Sequence, residues 1–220
     1  MGEVDFSGKA DRASQSSVRP RRERRSSITI SQQAYDHLLR RPLDPSLPEG
    51  ATNALENALG LKGGEKLVLI VETGSEAIGP AFVRGRETLA LQTRTYVIGF
   101  QEAESDGFRA RLYEQLDGAD ASILIGTVGG LSPEFRREVC TRAGRRRHAH
   151  MVGVTDEMMR QSMRADWVDV HRLGEQLKRH LLNVQTIEIT SGPLDVLRVQ
   201  TDPRCRWHNG SRLPPTAGLA

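Results

Sequence analysis

Four near-continuous apolar runs punctuate the chain: LVLIV at 67–71, TYVIGF at 95–100, ASILIG at 121–126 and HMVGV at 150–154. Polar or glycine positions bound each run, the pattern of strands covered on both faces. Their centres lie about 28 residues apart, enough for the helix-bearing crossover that joins parallel strands. Between them, apolar residues spaced by three and four predict helices over 75–91, 106–116 and 133–143. Ser132 is placed to cap the last of these, with Pro133 at its first helical position. Ala54, Leu55, Ala58 and Leu59 form one further helical face within 51–61, ended by Gly63-Gly64. Beyond the fourth run, 156–164 and 168–182 read as helices, the second expected to bury Val170, Leu173, Leu177 and Leu181 at spacings of three and four. TIEIT at 186–190 and DVLRVQ at 195–200 alternate with period two around Ser191-Gly192-Pro193-Leu194, which predicts an antiparallel hairpin. The predicted fold is α/β: a doubly wound, mainly parallel sheet with helices on both faces and a C-terminal β-hairpin.

Upstream of residue 51 the pattern is weaker. Residues 1–27 have no apolar periodicity and too little apolar surface to repay ordering, so a disordered basic tail is expected there. Its RPRRERRSS block at 19–27 suits anionic partners, or phosphorylation at Ser26 or Ser27. Residues 28–50 are expected to hold a short helix over Ser31 to Arg41 and a linker marked by Pro42, Pro45 and Pro48, leaving 51–220 as the α/β domain.

Charge changes this picture little. The 220 residues carry a formal charge of +3, but residues 1–27 hold seven Lys/Arg against four Asp/Glu, so 24 of each sign remain in the body. The basic pI therefore belongs to the tail and argues against a nucleic-acid groove. No ~18-residue apolar run is present to cross a membrane, and no signal-type apolar region opens the chain. With Cys140 and Cys205 as the only cysteines, a reducing, cytoplasmic setting with free thiols is expected.

Candidate chemistry is sparse. Thr73-Gly74-Ser75 after the first strand, and Gly126, Gly129, Gly130 and Ser132 after the third, open helices whose amides could hold an anion, yet neither is a GxGxxG or a P-loop. They read as ordinary turn residues. His148 and His150 share one face of a strand, as a metal would require. No third ligand is recognisable from the sequence, and Arg145, Arg146 and Arg147 would repel a cation, so neither metal nor other cofactor is expected. Cys205 and His208 lack the second pair of a structural zinc site. Met158, Met159 and Met163 read as packing residues, His171 and His180 as helix surface, and Asp166-Trp167 as a helix start with a buried indole. No GxSxG and no evident carboxylate pair is present, so no reaction is named by motif.

NALENALGLKGGEKLVLIVE, ADASILIG, HMVGVTDEMMRQSMRADW and RCRWHNGSRLPP, in that order over roughly residues 50–215, resemble the N-terminal domain of the aminopeptidase T metallopeptidases, and more nearly their dihydroxypyridine dioxygenase and leucyl-aminopeptidase-like relatives. VGVTDEMMRQSMRADW at 152–167 and RWHNGSR at 206–212 are the most specific pieces. The resemblance implies metal-binding carboxylates and histidines further along, in a Gly-Glu-containing stretch and a C-terminal domain. None of them occurs before Ala220, so the expectation is a chain without the catalytic half and without activity of its own. From truncated relatives the resemblance implies a peptide-binding accessory role, presenting a precursor peptide to a tailoring enzyme in ribosomal peptide natural-product biosynthesis. The expected contact residues are Trp207 as aromatic anchor, with Arg206, His208, Asn209 and Arg212. A homo-oligomer through the same surface is the accompanying expectation. Two alternatives stay open: a subunit of a metal-dependent aminopeptidase or ring-cleaving dioxygenase, and a nucleic-acid or regulatory protein acting through its tail.

Overall fold

The computed structural model describes residues 21–143, 146–202 and 204–211. Strands β1 (Lys66–Glu72), β2 (Gln92–Ile98), β3 (Ala121–Gly126) and β4 (Arg147–Val152) form one parallel sheet in the order β2-β1-β3-β4. Because the sheet is covered on both sides, both phases of β1 are buried: Leu67, Leu69 and Val71 join one apolar cluster, Val68 and Ile70 the other. This explains why β1 reads as an unbroken apolar run. The first cluster is closed by α1 (Arg21–Arg40), α2 (Pro48–Asn53) with its π-helical continuation Ala54–Ala58, α3 (Gly79–Thr88) and α7 (Asp156–Arg160). The second is closed by α4 (Phe100–Glu104), α5 (Asp106–Asp117) and α6 (Pro133–Ala143), through Ala103, Phe108, Leu112, Phe135 and Val139. The predicted parallel α/β layer with helices on both faces is therefore observed.

The differences lie at the edges. β2 begins at Gln92 and β4 at Arg147, each three residues before its apolar run. At β4 the polar start is admitted by specific partners, Arg147 being held by carbonyls and a carboxylate. Along β2 the backbone amide of buried Thr95 donates to Ser31 Oγ at 2.9 Å, while the buried Thr93 hydroxyl has no partner among the described residues. Gly153, with φ +75°, turns the chain out of β4 where the sequence predicts two more strand residues. α1 starts ten residues before the expected Ser31, so 21–27, including Ser26 and Ser27, fall in its first turns. Residues 1–20 of the expected tail lie outside the described residues. From the stretch expected to be helix and linker, Leu38 and Leu47 are fully buried in the same cluster as β1.

Beyond a single 3-10 turn (Ser162–Arg164), α8 (Trp167–His180) leads to the predicted antiparallel hairpin of β5 (Thr186–Thr190) and β6 (Val196–Gln200). Asp166 caps α8, its Oδ1 accepting from the amides of Val168 at 2.8 Å and Asp169 at 3.1 Å. Asp166→Ala is expected to remove about 1 kcal/mol, read as faster hydrogen exchange in the first turn of α8 and a lower denaturant midpoint. None of the residues of α8 is buried.

Candidate functional site

In an open α/β sheet the ligand crevice lies beyond the carboxyl ends of the strands where the order reverses, here between β1 and β3. Of the loop amides considered for an anion, that of Gly74 is taken by one of the chain's own carboxylates and those of Thr73 and Ser75 by backbone carbonyls, and carboxylates also occupy neighbouring amides at the same edge. Buried Glu72 accepts from the Thr127 amide at 2.6 Å and from its hydroxyl, Glu76 from the Gly74 amide at 2.9 Å, and Glu102 from the Gly99 amide at 3.0 Å. A Cβ at Gly130 would overlap the Glu72 carboxylate, so glycine is needed for the loop to close on it. A phosphate would meet negative charge where a binding loop offers donors. These glycines are structural, as their plain reading in the sequence has it.

A second cluster lies on the outer side of β4. Side chains alternate along a strand, so His148 and His150 project to one face while Arg147 projects to the other. The last turns of α6 bring Cys140 over that face. Its Sγ lies 3.6 Å from His148 Nε2 and 3.3 Å from His150 Nδ1. On the neighbouring strand Ser122, itself buried, meets His148 Nδ1 at 2.8 Å. Burial pulls His148 down to about 4, helped by His150, and also lowers His150, with Arg136 adding to the effect. Burial pushes the Cys140 thiol up. At neutral pH the trio is therefore a thiol beside two neutral imidazoles, not the thiolate–imidazolium pair of a cysteine nucleophile.

This cluster supplies the donor whose absence was the first ground against a metal and weakens the second. The third donor, unrecognised in the sequence, is Cys140. Of the three arginines expected to repel a cation, Arg147 is turned to the opposite face, donating to Leu59 O at 3.1 Å, Gly60 O at 2.8 Å and Glu65 at 2.6 Å. Arg146 donates to Leu116 O. Arg145 lies outside the described residues.

The segment of the expected peptide contacts meets α8 through Asn209 and Ser211. Trp207 is half-buried, and Arg206 and His208 are exposed. Asn209 is spent within the fold: its amide donates to His171 O at 2.9 Å and Glu175 at 3.2 Å, packed where α8 has Gly174. Arg212 lies outside the described residues. The hairpin and α8 also expose apolar residues. The hairpin register opposes Ile187 to Val199 and Ile189 to Leu197, so one face is wholly apolar. Ile189 and Leu197 remain 54% and 58% exposed, as do Leu173 (55%) and Leu177 (58%) on the stripe of α8.

No family model matches the chain, and no curated protein does. Among solved structures it is similar to wild-type AmpT from Thermus thermophilus, at 13% identity and a TM-score of 0.42, over 64% of this chain and 50% of that one. The chain thus spans about half the length of that protein. It is also similar to a polyketide synthase domain assigned as an enoyl reductase, at 15% identity and a TM-score of 0.33, over 62% of this chain and 90% of that one. Likeness of this degree assigns neither chemistry nor ligand. No helix among the described residues is long and apolar enough to cross a membrane.

Proposed function

We propose that the chain is a non-catalytic binding module that takes an extended peptide or peptide-like segment on its C-terminal hairpin. The carrying observation is the unpartnered apolar face formed by Ile187, Ile189, Leu197 and Val199 on a sheet of only two strands. Such a ribbon is marginal in water by itself and gains from a third strand that supplies main-chain hydrogen bonds and covers its face. Contiguous exposed apolar surface of this kind has the character of an interaction site, while the Glu188–Arg198 ion pair and Thr186 occupy the opposite face of the ribbon. Trp207 and Arg206 follow the hairpin in sequence and are the proposed anchor and charge partner for an acidic peptide. The setting proposed for this module remains the one its family resemblance implies, presentation of a precursor peptide to a tailoring enzyme.

The test is a peptide array probed with the full chain, followed by calorimetry on the strongest peptide. Micromolar binding, worth about 8 kcal/mol, is expected for the wild type. Ile189→Arg/Leu197→Arg should weaken it at least tenfold without altering the circular dichroism spectrum, because both side chains are already exposed. Absence of peptide binding, together with a dimer in sedimentation that the same double substitution dissociates, would assign the face to self-association and overturn the peptide reading.

A further inference from the structure

We propose that Cys140, His148 and His150 form a binding site for a zinc-class cation, with the fourth coordination position open to solvent. Three donors, one per residue, lie within 4.8 Å of one another. Their spacing can be set against coordination geometry. With Zn–S ~2.3 Å and Zn–N ~2.05 Å at tetrahedral angles, the S···N edge of a centre is ~3.6 Å. The observed edges are 3.6 Å to His148 Nε2 and 3.3 Å to His150 Nδ1. No side chain has to travel far to close on an ion of that size.

Orientation is set as well. When His148 donates its Nδ1–H to the Ser122 hydroxyl oxygen, 2.8 Å away, its Nε2 lone pair is left facing Cys140. A hydrogen bond on the remote ring nitrogen is how metal-bound histidines are held in one tautomer. Both histidines come from a single strand at i and i+2, and Cys140 from the helix packed over it, so regular backbone fixes all three positions. Two of the donors are half-buried, while His150 is exposed and gives the ion an entry path and room for water or a small ligand. One thiolate with two imidazoles selects zinc, cobalt or cuprous copper over magnesium or calcium, which take oxygen donors. Arg136 is the opposing charge, acting on both Cys140 and His150. A single cation is offset by the thiolate that forms when the metal enters. The site is on the α6 side of β4, away from the hairpin, and stands or falls independently of peptide binding.

The experiment uses the full-length chain, reduced, stripped with chelator and titrated with cobalt(II). One equivalent is expected to bind, giving the visible bands of a tetrahedral ion and a thiolate-to-cobalt charge-transfer band, both bleached by added zinc. Cys140→Ser should abolish the charge-transfer band. His150→Ala, at an exposed position that leaves folding intact, should weaken binding strongly, and Ser122→Ala should weaken it about tenfold or more through loss of orientation. Each variant is checked for an unchanged circular dichroism spectrum. Failure of the wild type to bind cobalt or zinc, or binding that survives Cys140→Ser with the charge-transfer band intact, would overturn the proposal.

Discussion

Arg147→Ala is expected to destabilise the chain by about 3 kcal/mol, within the range for removing one partner of a buried ion pair. Arg147 is only 4% exposed, and its guanidinium satisfies three groups at once: the Leu59 and Gly60 carbonyls at the end of the π-helical turn, and Glu65. Truncation leaves those acceptors without their donor. For a chain of this length the loss corresponds to a melting temperature lower by ~6–12 °C. Its pH dependence follows from Glu65. Burial alone would raise that carboxyl, but the hydrogen bonds from Arg147 and the Lys62 amide outweigh it and hold the folded pKa below the ordinary 4.5. The carboxylate contribution is complete above the unfolded value and is lost as pH falls through the folded one. Denaturant titrations should therefore show the wild type and variant furthest apart near neutrality and converging in acid. A difference under ~1 kcal/mol at pH 7 would mean that water replaces the guanidinium without strain.

Leu38→Ala is expected to cost about 3 kcal/mol, as large-to-small changes at filled core positions do. Leu38 is fully buried beneath α1, and its methyls lie against Gly79 of α3, where even one added carbon would collide. Leu38 fills this space in a close-packed cluster, so its truncation leaves a cavity that the surrounding core closes only in part. The measurement is the urea midpoint of the full chain. If α1 were an appendage, the midpoint would stay within the spread of surface substitutions, about 0.5 kcal/mol.

How far the sequence revealed this arrangement depends on where each residue stands in the sheet. β1 and β3 are central, buried on both faces, and their apolar runs locate them almost to the residue. β2 and β4 are edge strands whose first residues are polar, and the contacts that tolerate them, such as the carbonyls and carboxylate around Arg147, are ones that no periodicity discloses. Leu38 and Leu47 were hidden by a helix rich in charge and by three prolines. The Cys140 cluster shows a different limit. Two histidines two apart were visible as a pair, but the third donor lies eight residues upstream on another element, and adjacency in sequence set the arginines beside the histidines when strand alternation sends Arg147 to the opposite face. Applying the period-two rule to RRRHAH would have taken Arg147 off the histidine face while leaving Arg146 in phase with it, and it is the bond from Arg146 to Leu116 O that only the structure discloses. The stripe of α8 is a correct pattern with the wrong outcome: Val170, Leu173 and Leu177, expected to be buried, are exposed, because spacing marks which residues share a face and only tertiary structure decides whether another element covers it.

The central place of β1 bears on how the chain is made. Emerging from the ribosome, β1 finds its first neighbour when β2 is complete at Ile98, but its other edge waits for β3, which ends 28 residues later at Gly126. At ~5–20 residues per second this is ~1–6 s in which LVLIV, without a charge or a proline, presents an open edge. Nascent chains paused between those two residues should thus be the most prone to aggregate and the most avidly held by a strand-binding chaperone. Adding a charge inside 67–71 to prevent this would disrupt the folded core, so protection has to come from the speed of translation or from the chaperone.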